Sequence, residues 1–361
     1  MTDFLDLTPL KEASQKITVH NKKEAPKQDV PVLQKIEAPK KVVAKDLKLR
    51  TIFMGTPEFA ADILSSLVEQ KYNIVAVVTK RDKPVGRKQE AIESAVKKKA
   101  LEYKIPLLQP VKIDEETIEG IKNLEPDLII VAAYGKILPK EILSIPGFGC
   151  INVHASLLPK LRGSSPIQNA LLSGATETGI TIMLMDEGMD TGDILAQTKI
   201  DIAPEDTKES LSERLTKTGQ QLLIETLPRW IERTLISKPQ NHEEATLCQL
   251  IEREDGHIMW TDRAESIYNR FRALSPWPGI FTFWKKEAGP IRLKLHRISY
   301  QKQSPQTTHS LGQVFEMGEK IGVQTREGVI FLEEIQLEGK TQLPITEFLR
   351  GNPDIIGSLL Q

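Results

Sequence analysis

The chain has 361 residues, and its 48 basic and 49 acidic side chains give a formal net charge of -1. That length suffices for two folded domains, and no apolar run approaches the roughly 20 residues that span a bilayer. The two cysteines, Cys150 and Cys248, exclude a disulfide framework and a Cys-based zinc finger. We therefore expect a cytoplasmic globular protein. The near-neutral charge excludes broad coating by nucleic acid and leaves a local basic patch open.

Residues 1–48 differ in composition from the rest of the chain. They contain ten lysines, seven acidic residues and four prolines, with no arginine and no glycine. Such a segment buries too little apolar surface to offset its ordering entropy, so we interpret it as a disordered, solvated extension. It lacks the Arg-rich, acid-poor character of a transit peptide and the apolar core of a secretion signal. An RNA-binding or partner-binding arm is the alternative interpretation.

From residue 49 onward, apolar runs typical of buried parallel strands alternate with helical patterns. The strand-like runs are 49–53, 73–79, 127–134 and 150–154. Thr56 is expected to cap a helix that begins at Pro57 and extends to about Glu69, and a helical pattern returns at 92–103. This alternation predicts an α/β domain with a doubly wound, mostly parallel sheet, whose ligands bind beyond the carboxyl ends of the strands.

The pattern changes in the second half of the chain. A helix at 210–233 closes the first domain, which we place at 49–237, and residues 238–255 are interpreted as a linker. In the second domain, at 256–361, β-type runs recur at 280–284, 291–298, 321–325 and 328–335. Their spacing predicts a small β-barrel.

Asn152 and His154 form the centre of the candidate site. The side-chain period of a strand is two residues, so both side chains project from the same face at a strand end. Asp190 lies in a glycine-punctuated turn between two strand-like runs, from which its carboxylate could reach the imidazole. An Asn amide and a protonated His can stabilise an oxyanion, while the carboxylate orients the imidazole. A polar cluster satisfied by internal hydrogen bonds is the alternative.

The source of the nucleophile also bears on the chemistry. No Ser or Cys lies in a recognisable nucleophile elbow, which favours direct transfer between two bound substrates over a covalent enzyme intermediate. Of the six histidines, only His154 joins such a constellation, so we predict no metal site. The sequence also lacks the glycine pattern of a dinucleotide-binding turn.

A basic cluster follows the second strand. It consists of Lys80, Arg81, Lys83, Arg87 and Lys88. From the sequence alone it is either an ordinary solvated loop or a set of cations that neutralises phosphates of a nucleic acid.

Several segments together resemble the methionyl-tRNA formyltransferase family. The segments are Gly55–Ala60, Ala132–Pro139, Asn152–Pro159, Arg162–Gln168 and Asp186–Asp193. The resemblance covers residues 50–361 and does not touch the N-terminal extension. It implies a Rossmann-like formyltransferase domain followed by an OB-like barrel. It also implies transfer of a formyl group from 10-formyltetrahydrofolate to the α-amine of methionyl-initiator tRNA, by an enzyme that we expect to be a monomer.

The same resemblance implies roles for individual residues. Asn152, His154 and Asp190 correspond to the family's catalytic trio. The folate-binding segment corresponds to Ser156, Leu157, Leu158 and Pro159. The basic cluster corresponds to a loop that contacts the tRNA acceptor end.

The chain departs from the family in two places. Residues 89–95 replace a more basic, proline-bearing continuation, and Leu250 and Met259 stand where Lys and Asp are usual. Trp277, in the turn into the barrel, is interpreted as a core residue rather than a base-stacking platform. Two alternative functions remain: a formyltransferase acting on an amino sugar nucleotide or glycinamide ribonucleotide, and a catalytically inactive folate- or RNA-binding relative.

Overall fold

Alternating strands and helices make up the first domain. The computed structural model describes residues 49–85, 90–287, 289–303 and 309–361; for residues 83–85 and 90 it describes the backbone alone. The strands are β1 (Thr51–Gly55), β2 (Ile74–Val78), β3 (Lys83–Val85), β4 (Glu90–Ile92), β5 (Leu107–Leu108), β6 (Leu128–Ala132), β7 (Cys150–His154), β8 (Arg162–Gly163), β9 (Glu177–Leu184), β10 (Ile194–Asp201) and β11 (Leu247–Cys248). The helices are α1 (Glu58–Glu69), α2 (Ala95–Glu102), α3 (Glu115–Lys122), α4 (Lys140–Leu143), α5 (Pro166–Leu172) and α6 (Lys208–Ile231).

Among the described residues, seven of these strands form the main sheet, in the order β10-β9-β7-β6-β1-β2-β5. The five strands from β7 to β5 are parallel, whereas β9 and β10 pair antiparallel with their neighbours. The predicted doubly wound, mostly parallel sheet is therefore confirmed. Two small sheets accompany it: the β3–β4 hairpin and the parallel pair of β8 and β11.

Both faces of the main sheet are covered, because its central strands alternate between two apolar cores. Phe53, Ile130 and Val153 pack with residues of α1, α5 and α6. The intervening positions, among them Met54 and Cys150, pack with residues of α3 and α4 on the other face. Asn152 and His154 continue the face of Cys150 toward the carboxyl end of β7, where polar groups replace the apolar ones.

Two helix starts differ from the sequence prediction. Pro57, not Thr56, is the N-cap residue of α1, and the Thr56 hydroxyl donates to the carbonyl oxygen of Tyr134 at 3.3 Å instead. The helix expected at 92–103 begins only at Ala95, since Ser94 caps it by accepting from the Lys97 N–H at 3.0 Å. Ile92 belongs to β4. In both cases a tertiary contact or a local cap set the boundary rather than helix propensity.

The second domain is an antiparallel sheet closed by the last residues of the chain. Its elements are α7 (Ala264–Leu274), β12 (Ile280–Lys286), β13 (Gly289–Gln301), β14 (Val314–Met317), β15 (Lys320–Gln324), β16 (Val329–Leu337), β17 (Leu343–Pro344) and α8 (Ile345–Gly351). The strand order is β12-β13-β16-β15-β14, with β17 on β16. Gln361 exchanges two backbone hydrogen bonds with Phe283 of β12, and Leu360 donates to Gly312 near β14. Residues 358–361 thus bridge the two edge strands, as expected for a small barrel.

Trp277 contradicts the sequence interpretation. Its side chain is 61% exposed in the turn between α7 and β12, so it is not a core residue. Flanking prolines at 276 and 278 place it in a turn, where the chain runs over the surface.

A polar junction joins the turn before α6 to the second domain. The Asp206 carboxylate accepts from the Ala203 N–H at 2.7 Å and the Ser210 hydroxyl at 2.8 Å, and it pairs with Arg214. Arg272 of α7, also buried, donates to the carbonyl oxygens of Ala203 and Asp206. Burial disfavours the Asp206 carboxylate, but these hydrogen bonds and Arg214 outweigh it and hold the pKa of Asp206 below its usual value.

None of the helices in the described ranges is long and apolar enough to cross a membrane.

We expect Asp206→Ala to lower the free energy of unfolding by about 1–3 kcal/mol, because it removes the acceptor of the part-buried Ala203 N–H and Ser210 hydroxyl and the partner of Arg214. Because the folded pKa is lowered, this contribution is present at neutral pH and is lost as the pH falls below about 5. Urea denaturation at pH 7 and at acidic pH measures both effects. The control is Glu205→Ala, at an exposed neighbouring position. Equal stabilities for the two variants at pH 7 would contradict the assignment.

Candidate active site

The candidate site is built on the last residues of β7. Asn152 and His154 are 8% and 5% exposed, and β7 lies between β6 and β9 in the sheet. Burying an amide and an imidazole costs free energy unless both are hydrogen-bonded. Their partners come from two loops that lie next to the carboxyl end of the strand.

Asp190 supplies the central acceptor. It lies in the turn between β9 and β10 with a backbone φ of 54°, a left-handed conformation that is uncommon for a residue other than glycine. Its Oδ1 accepts from Asn152 Nδ2 at 3.3 Å, and its Oδ2 lies 3.6 Å from His154 Nδ1. Oδ2 also accepts from the Gly163 N–H at 2.8 Å. The structure therefore brings the three predicted catalytic residues together and adds a backbone donor.

Each nitrogen of the His154 ring faces an oxygen acceptor. Nε2 lies 2.9 Å from the carbonyl oxygen of Leu161. A carbonyl only accepts, so this contact requires a hydrogen on Nε2, and the side of the ring facing Asp190 presents Nδ1. An imidazolium, with a hydrogen on each nitrogen, satisfies both neighbours. The arrangement therefore suits a histidine that carries positive charge during a reaction.

The predicted folate-binding segment follows β7 directly. Thr181 of β9 donates to the carbonyl oxygen of Ser156 and accepts from the Leu158 N–H. Gln197 of β10 donates to the carbonyl oxygen of Leu158 at 2.8 Å. These bonds fix the backbone of the segment, which ends in a cis peptide bond between Leu158 and Pro159.

The side chains of this segment face the protein. Ser156 is fully buried and its hydroxyl donates to the Lys160 carbonyl oxygen at 2.6 Å. Leu158 is 3% exposed, and Leu157 lies so close to Gly179 of β9 that a Cβ there would collide with it. The assignment of residues 156–159 to folate binding stays a prediction.

A second segment, residues 246–248, contacts the loop that follows β7. The sequence pattern predicts this segment to be part of a linker. The hydroxyl of Thr246 accepts from the Leu161 N–H at 2.9 Å. In the following residues, β11 pairs with β8, and the backbone of Gly163 approaches Cys248 so closely that a Cβ on Gly163 would collide with the Cys248 carbonyl oxygen. Only glycine therefore fits at this position. Its N–H can reach Asp190 because β11 holds β8 in place.

Two buried polar residues at this site escaped sequence reasoning. Arg162 and Gln240 are each 6% exposed, and their side chains hydrogen-bond to one another. The sequence indicates Arg162 only as the first residue of the segment Arg162–Gln168. Gln240 lies in residues 238–255, which the sequence pattern predicts to be a linker. Nothing in the local pattern indicates that a Gln after a Pro is buried, since burial here depends on contacts with residues 78 and 50 positions away.

The basic cluster is described in part. Lys80 and Arg81 follow β2. Gln109 donates to the Lys80 carbonyl oxygen at 2.9 Å, and Arg81 Nε donates to the Gln109 carbonyl oxygen at 3.1 Å. Lys83 belongs to β3, where only the backbone is described, and Arg87 and Lys88 lie outside the described residues. The structure thus places the base of the predicted tRNA-contacting loop next to the sheet.

Asp82 and Lys97 anchor the base of this loop. The Asp82 carboxylate accepts from Lys97 and, at 2.9 Å, from Gln109, and Lys97 also pairs with Glu93 at 3.0 Å. The hydrogen bonds from Lys97 and Gln109 lower the pKa of Asp82. Glu93 lies in the segment that departs from the family, so this departure supplies a partner for the anchor.

Neither cysteine is placed to act as a nucleophile. Cys150 and Cys248 are 1% and 5% exposed, and burial raises the pKa of Cys150 to about 12 and also raises that of Cys248. A neutral thiol is a poor nucleophile. In the part of the chain that the structure describes, no group of three or more His, Cys, Asp or Glu side chains is arranged to hold a metal ion.

Comparison with known proteins gives matches over both domains. A family model described as formyl transferase matches residues 47–227, and one described as formyl transferase, C-terminal domain, matches residues 250–353. The methionyl-tRNA formyltransferase of Caldicellulosiruptor saccharolyticus is 47% identical over 304 residues, which are 83% of this chain and 96% of the relative. That of Geobacter sulfurreducens is 42% identical over 305 residues, 84% and 94% of the two chains.

Solved structures share the fold at lower identity. The N-formyltransferase from Helicobacter canadensis, in complex with folinic acid and dTDP-3-aminofucose, has a TM-score of 0.58 and 19% identity, covering 79% of this chain and 98% of that one. HypX from Aquifex aeolicus, in complex with tetrahydrofolic acid, has a TM-score of 0.55 and 17% identity, covering 83% and 47%. At these identities the likeness concerns the fold alone.

We expect both thiols to resist alkylation in the folded protein at about pH 8, because they are buried and stay neutral. Intact-mass measurement after incubation with iodoacetamide should show the unmodified chain, while the same treatment in urea should modify both cysteines. Rapid alkylation of Cys248 without denaturant would contradict the assignment and would show an exposed, reactive thiol beside Asp190.

Proposed function

The chain belongs to the methionyl-tRNA formyltransferase family and is a formyltransferase; from this membership we propose that it takes the formyl group from 10-formyltetrahydrofolate and transfers it to the α-amine of methionyl-initiator tRNA. The observation that carries the proposal is the cluster of Asn152, His154 and Asp190 at the carboxyl end of β7. Its donors suit a carbonyl carbon under attack by an amine. We further propose that the enzyme works as a cytoplasmic monomer.

In the proposed reaction, the methionyl amine attacks the formyl carbon and a new carbon–nitrogen bond forms. Negative charge then develops on the formyl oxygen. An amide nitrogen carries two hydrogens, and the bond from Asn152 to Asp190 uses one of them. The second can donate to the formyl oxygen. Preorganised donors of this kind stabilise such charge by several kcal/mol.

His154 is proposed to act on both the oxyanion and the leaving group. For Nε2 to donate to a substrate oxygen, its contact with the Leu161 carbonyl oxygen must be exchanged for the substrate. Asp190 keeps the ring oriented and stabilises the imidazolium through Nδ1. When the bond between the formyl carbon and the folate nitrogen breaks, His154 can supply a proton to that nitrogen, and the proton lost by the amine restores the charge on the ring.

The folate is proposed to bind along residues 156–159. The side chains of Ser156 and Leu158 are buried, and their carbonyl oxygens already accept from Thr181 and Gln197. Recognition of a pterin-like ring therefore falls to the second lone pairs of these oxygens and to the remaining backbone groups of the segment. Thr181 and Gln197 fix that backbone before the ligand arrives. A rigid edge of donors and acceptors is what a flat heterocycle requires for orientation.

Formyl transfer to an amino sugar nucleotide is the competing function. One solved neighbour contains such a compound, but its 19% identity reflects the shared fold. The relatives at 42–47% identity carry the name of the tRNA enzyme and match this chain over both domains. A basic cluster beside the sheet also suits the many phosphates of a tRNA better than a single sugar nucleotide.

The substrate assignment is tested by incubating the full chain with 10-formyltetrahydrofolate and either methionyl-initiator tRNA or an amino sugar nucleotide. We expect formyl on the methionyl-tRNA only, and His154→Ala should lower kcat by about 10²- to 10⁴-fold because it removes a donor and an acid. His296→Ala, at an exposed position in the second domain, is the matched control. Formyl on the sugar alone would contradict the assignment, and equal activity of His154→Ala and wild type would contradict the role of the histidine.

The contribution of the basic cluster is tested through its anchor. Asp82→Ala removes the acceptor of Lys97 and Gln109, so Lys80 and Arg81 are held less firmly. A surface ion pair contributes only modestly, so we expect the KM for tRNA to rise about threefold to fivefold with the KM for folate unchanged. Glu102→Ala, which breaks the ion pair with Lys99 on the same helix, is the control. An equal rise in both KM values would contradict a role in tRNA binding.

A further inference from the structure

Gln240 makes an unusually complete set of contacts for a residue between two domains. It lies outside both regions matched by the formyl transferase family models, 47–227 and 250–353. Its side chain is buried, and the carboxamide takes part in four hydrogen bonds. All four partner atoms belong to two segments of the candidate site, β8 and the turn between β9 and β10. A buried amide satisfied in this way is costly to replace.

The donor end of Gln240 holds the turn that carries Asp190. Nε2 donates to the carbonyl oxygen of Asp190 at 2.9 Å and to that of Gly192 at 2.7 Å. Asp190 has a φ of 54°, and a residue other than glycine stays in this region only where its surroundings hold it there. Because the direction of the Asp190 side chain follows from this backbone conformation, the two hydrogen bonds determine where the carboxylate points.

The acceptor end of Gln240 holds the other partner of that carboxylate. Oε1 accepts from Arg162 Nη2 at 2.7 Å and Nε at 3.2 Å, and the buried guanidinium also contacts His242 Nδ1 at 3.1 Å. Arg162 directly precedes Gly163, whose N–H donates to Asp190 Oδ2. One carboxamide thus fixes both the carboxylate's own backbone and the segment that supplies its shortest hydrogen bond.

We propose that Gln240 is a positioning residue for formyl transfer, acting through Asp190; this rests on the function proposed above. Without its carboxamide, the Asp190 turn and the 162–163 segment lose their common partner. The carboxylate then departs from its distances of 3.6 Å to His154 Nδ1 and 3.3 Å to Asn152 Nδ2. The consequence falls on kcat rather than on binding, because Gln240 contacts neither the predicted folate segment nor the basic cluster through these bonds.

The first test compares two substitutions of Gln240. Gln240→Met keeps the length of the side chain and removes all four hydrogen bonds. Gln240→Glu keeps an acceptor for Arg162 but turns a second acceptor toward the carbonyl oxygens of Asp190 and Gly192. We expect both variants to lower kcat about 10- to 100-fold with each KM within about twofold of wild type, as follows from loss of two or more buried hydrogen bonds that matter in the transition state.

The second test shows whether the effect passes through Asp190. In a double-mutant cycle, Gln240→Met in an Asp190→Asn background should change kcat by less than about twofold, since the carboxylate that it positions is already gone. Additive effects would overturn the proposal. So would wild-type kcat for Gln240→Glu, because the Arg162 contact alone would then suffice.

Asn241→Ala is the matched control. Asn241 is the exposed neighbour of Gln240, and among the described residues its side chain bonds only within its own turn, to Glu243 and Glu244. It should keep wild-type kcat. Thermal unfolding of each variant checks the fold, and if Gln240→Met does not fold, the cycle is measured with Gln240→Glu.

The two proposals fail separately. The wild-type rate on methionyl-initiator tRNA is measured first, and absence of transfer there contradicts the proposed function. In that case the same cycle is measured on the amino sugar nucleotide, where additivity or coupling decides the role of Gln240. A normal wild-type rate on the tRNA with additive variants contradicts the role of Gln240 alone.

Discussion

The carboxylate of Asp190 gathers groups from segments that are far apart along the chain. It accepts from Asn152 on β7 and from the Gly163 N–H before α5, and it faces His154, while Gln240 binds its backbone carbonyl oxygen. Asn152, His154 and Gln240 each need a partner because each side chain is buried. The geometry of the site therefore depends on the place of one side chain, and several otherwise unrelated structural features serve to hold it there.

The site requires unfavourable backbone conformations at Asp190 and Gly163. Asp190 has a positive φ, and Gly163 has a φ of 118° and lies against the backbone of β11. Such conformations persist only where the surrounding packing and hydrogen bonding determine them. The seven-stranded sheet supplies that support: β7 is flanked by β6 and β9, and its residues alternate between two apolar cores. The strand end can therefore present polar groups without moving.

What the sequence predicts well is what depends on local period. The apolar runs of β1, β2, β6 and β7 come out as central strands, and the two-residue period places Asn152 and His154 on one face. Asp190 was predictable because a carboxylate between glycines in a turn stood beside that strand end. Helix starts were less predictable: Thr56 bonds to the distant Tyr134 carbonyl oxygen, and α2, capped by Ser94, begins only at Ala95, three residues after Ile92.

The least predictable residues are those whose surroundings come from elsewhere in the chain. Gln240 has the local signature of a linker, yet it is buried by the turns at 162 and 190–192. Trp277 has a large aromatic side chain of the kind usually buried in a core, yet the turn that contains it leaves it exposed. Whether a residue is buried depends on the whole fold. A single sequence predicts burial only in segments that have a clear hydrophobic periodicity.

The pairing of β11 with β8 determines which residues must stay with the first domain when the domains of this enzyme are separated or exchanged. A fragment cut at the end of the first matched region, residue 227, would leave behind Gln240, Thr246 and the strand that fixes Gly163. A chimera that joins this catalytic domain to the second domain of a relative must therefore carry residues 238–248 with the first domain. The functional border between the two domains therefore lies near residue 248, at the downstream end of the gap between the two matched regions.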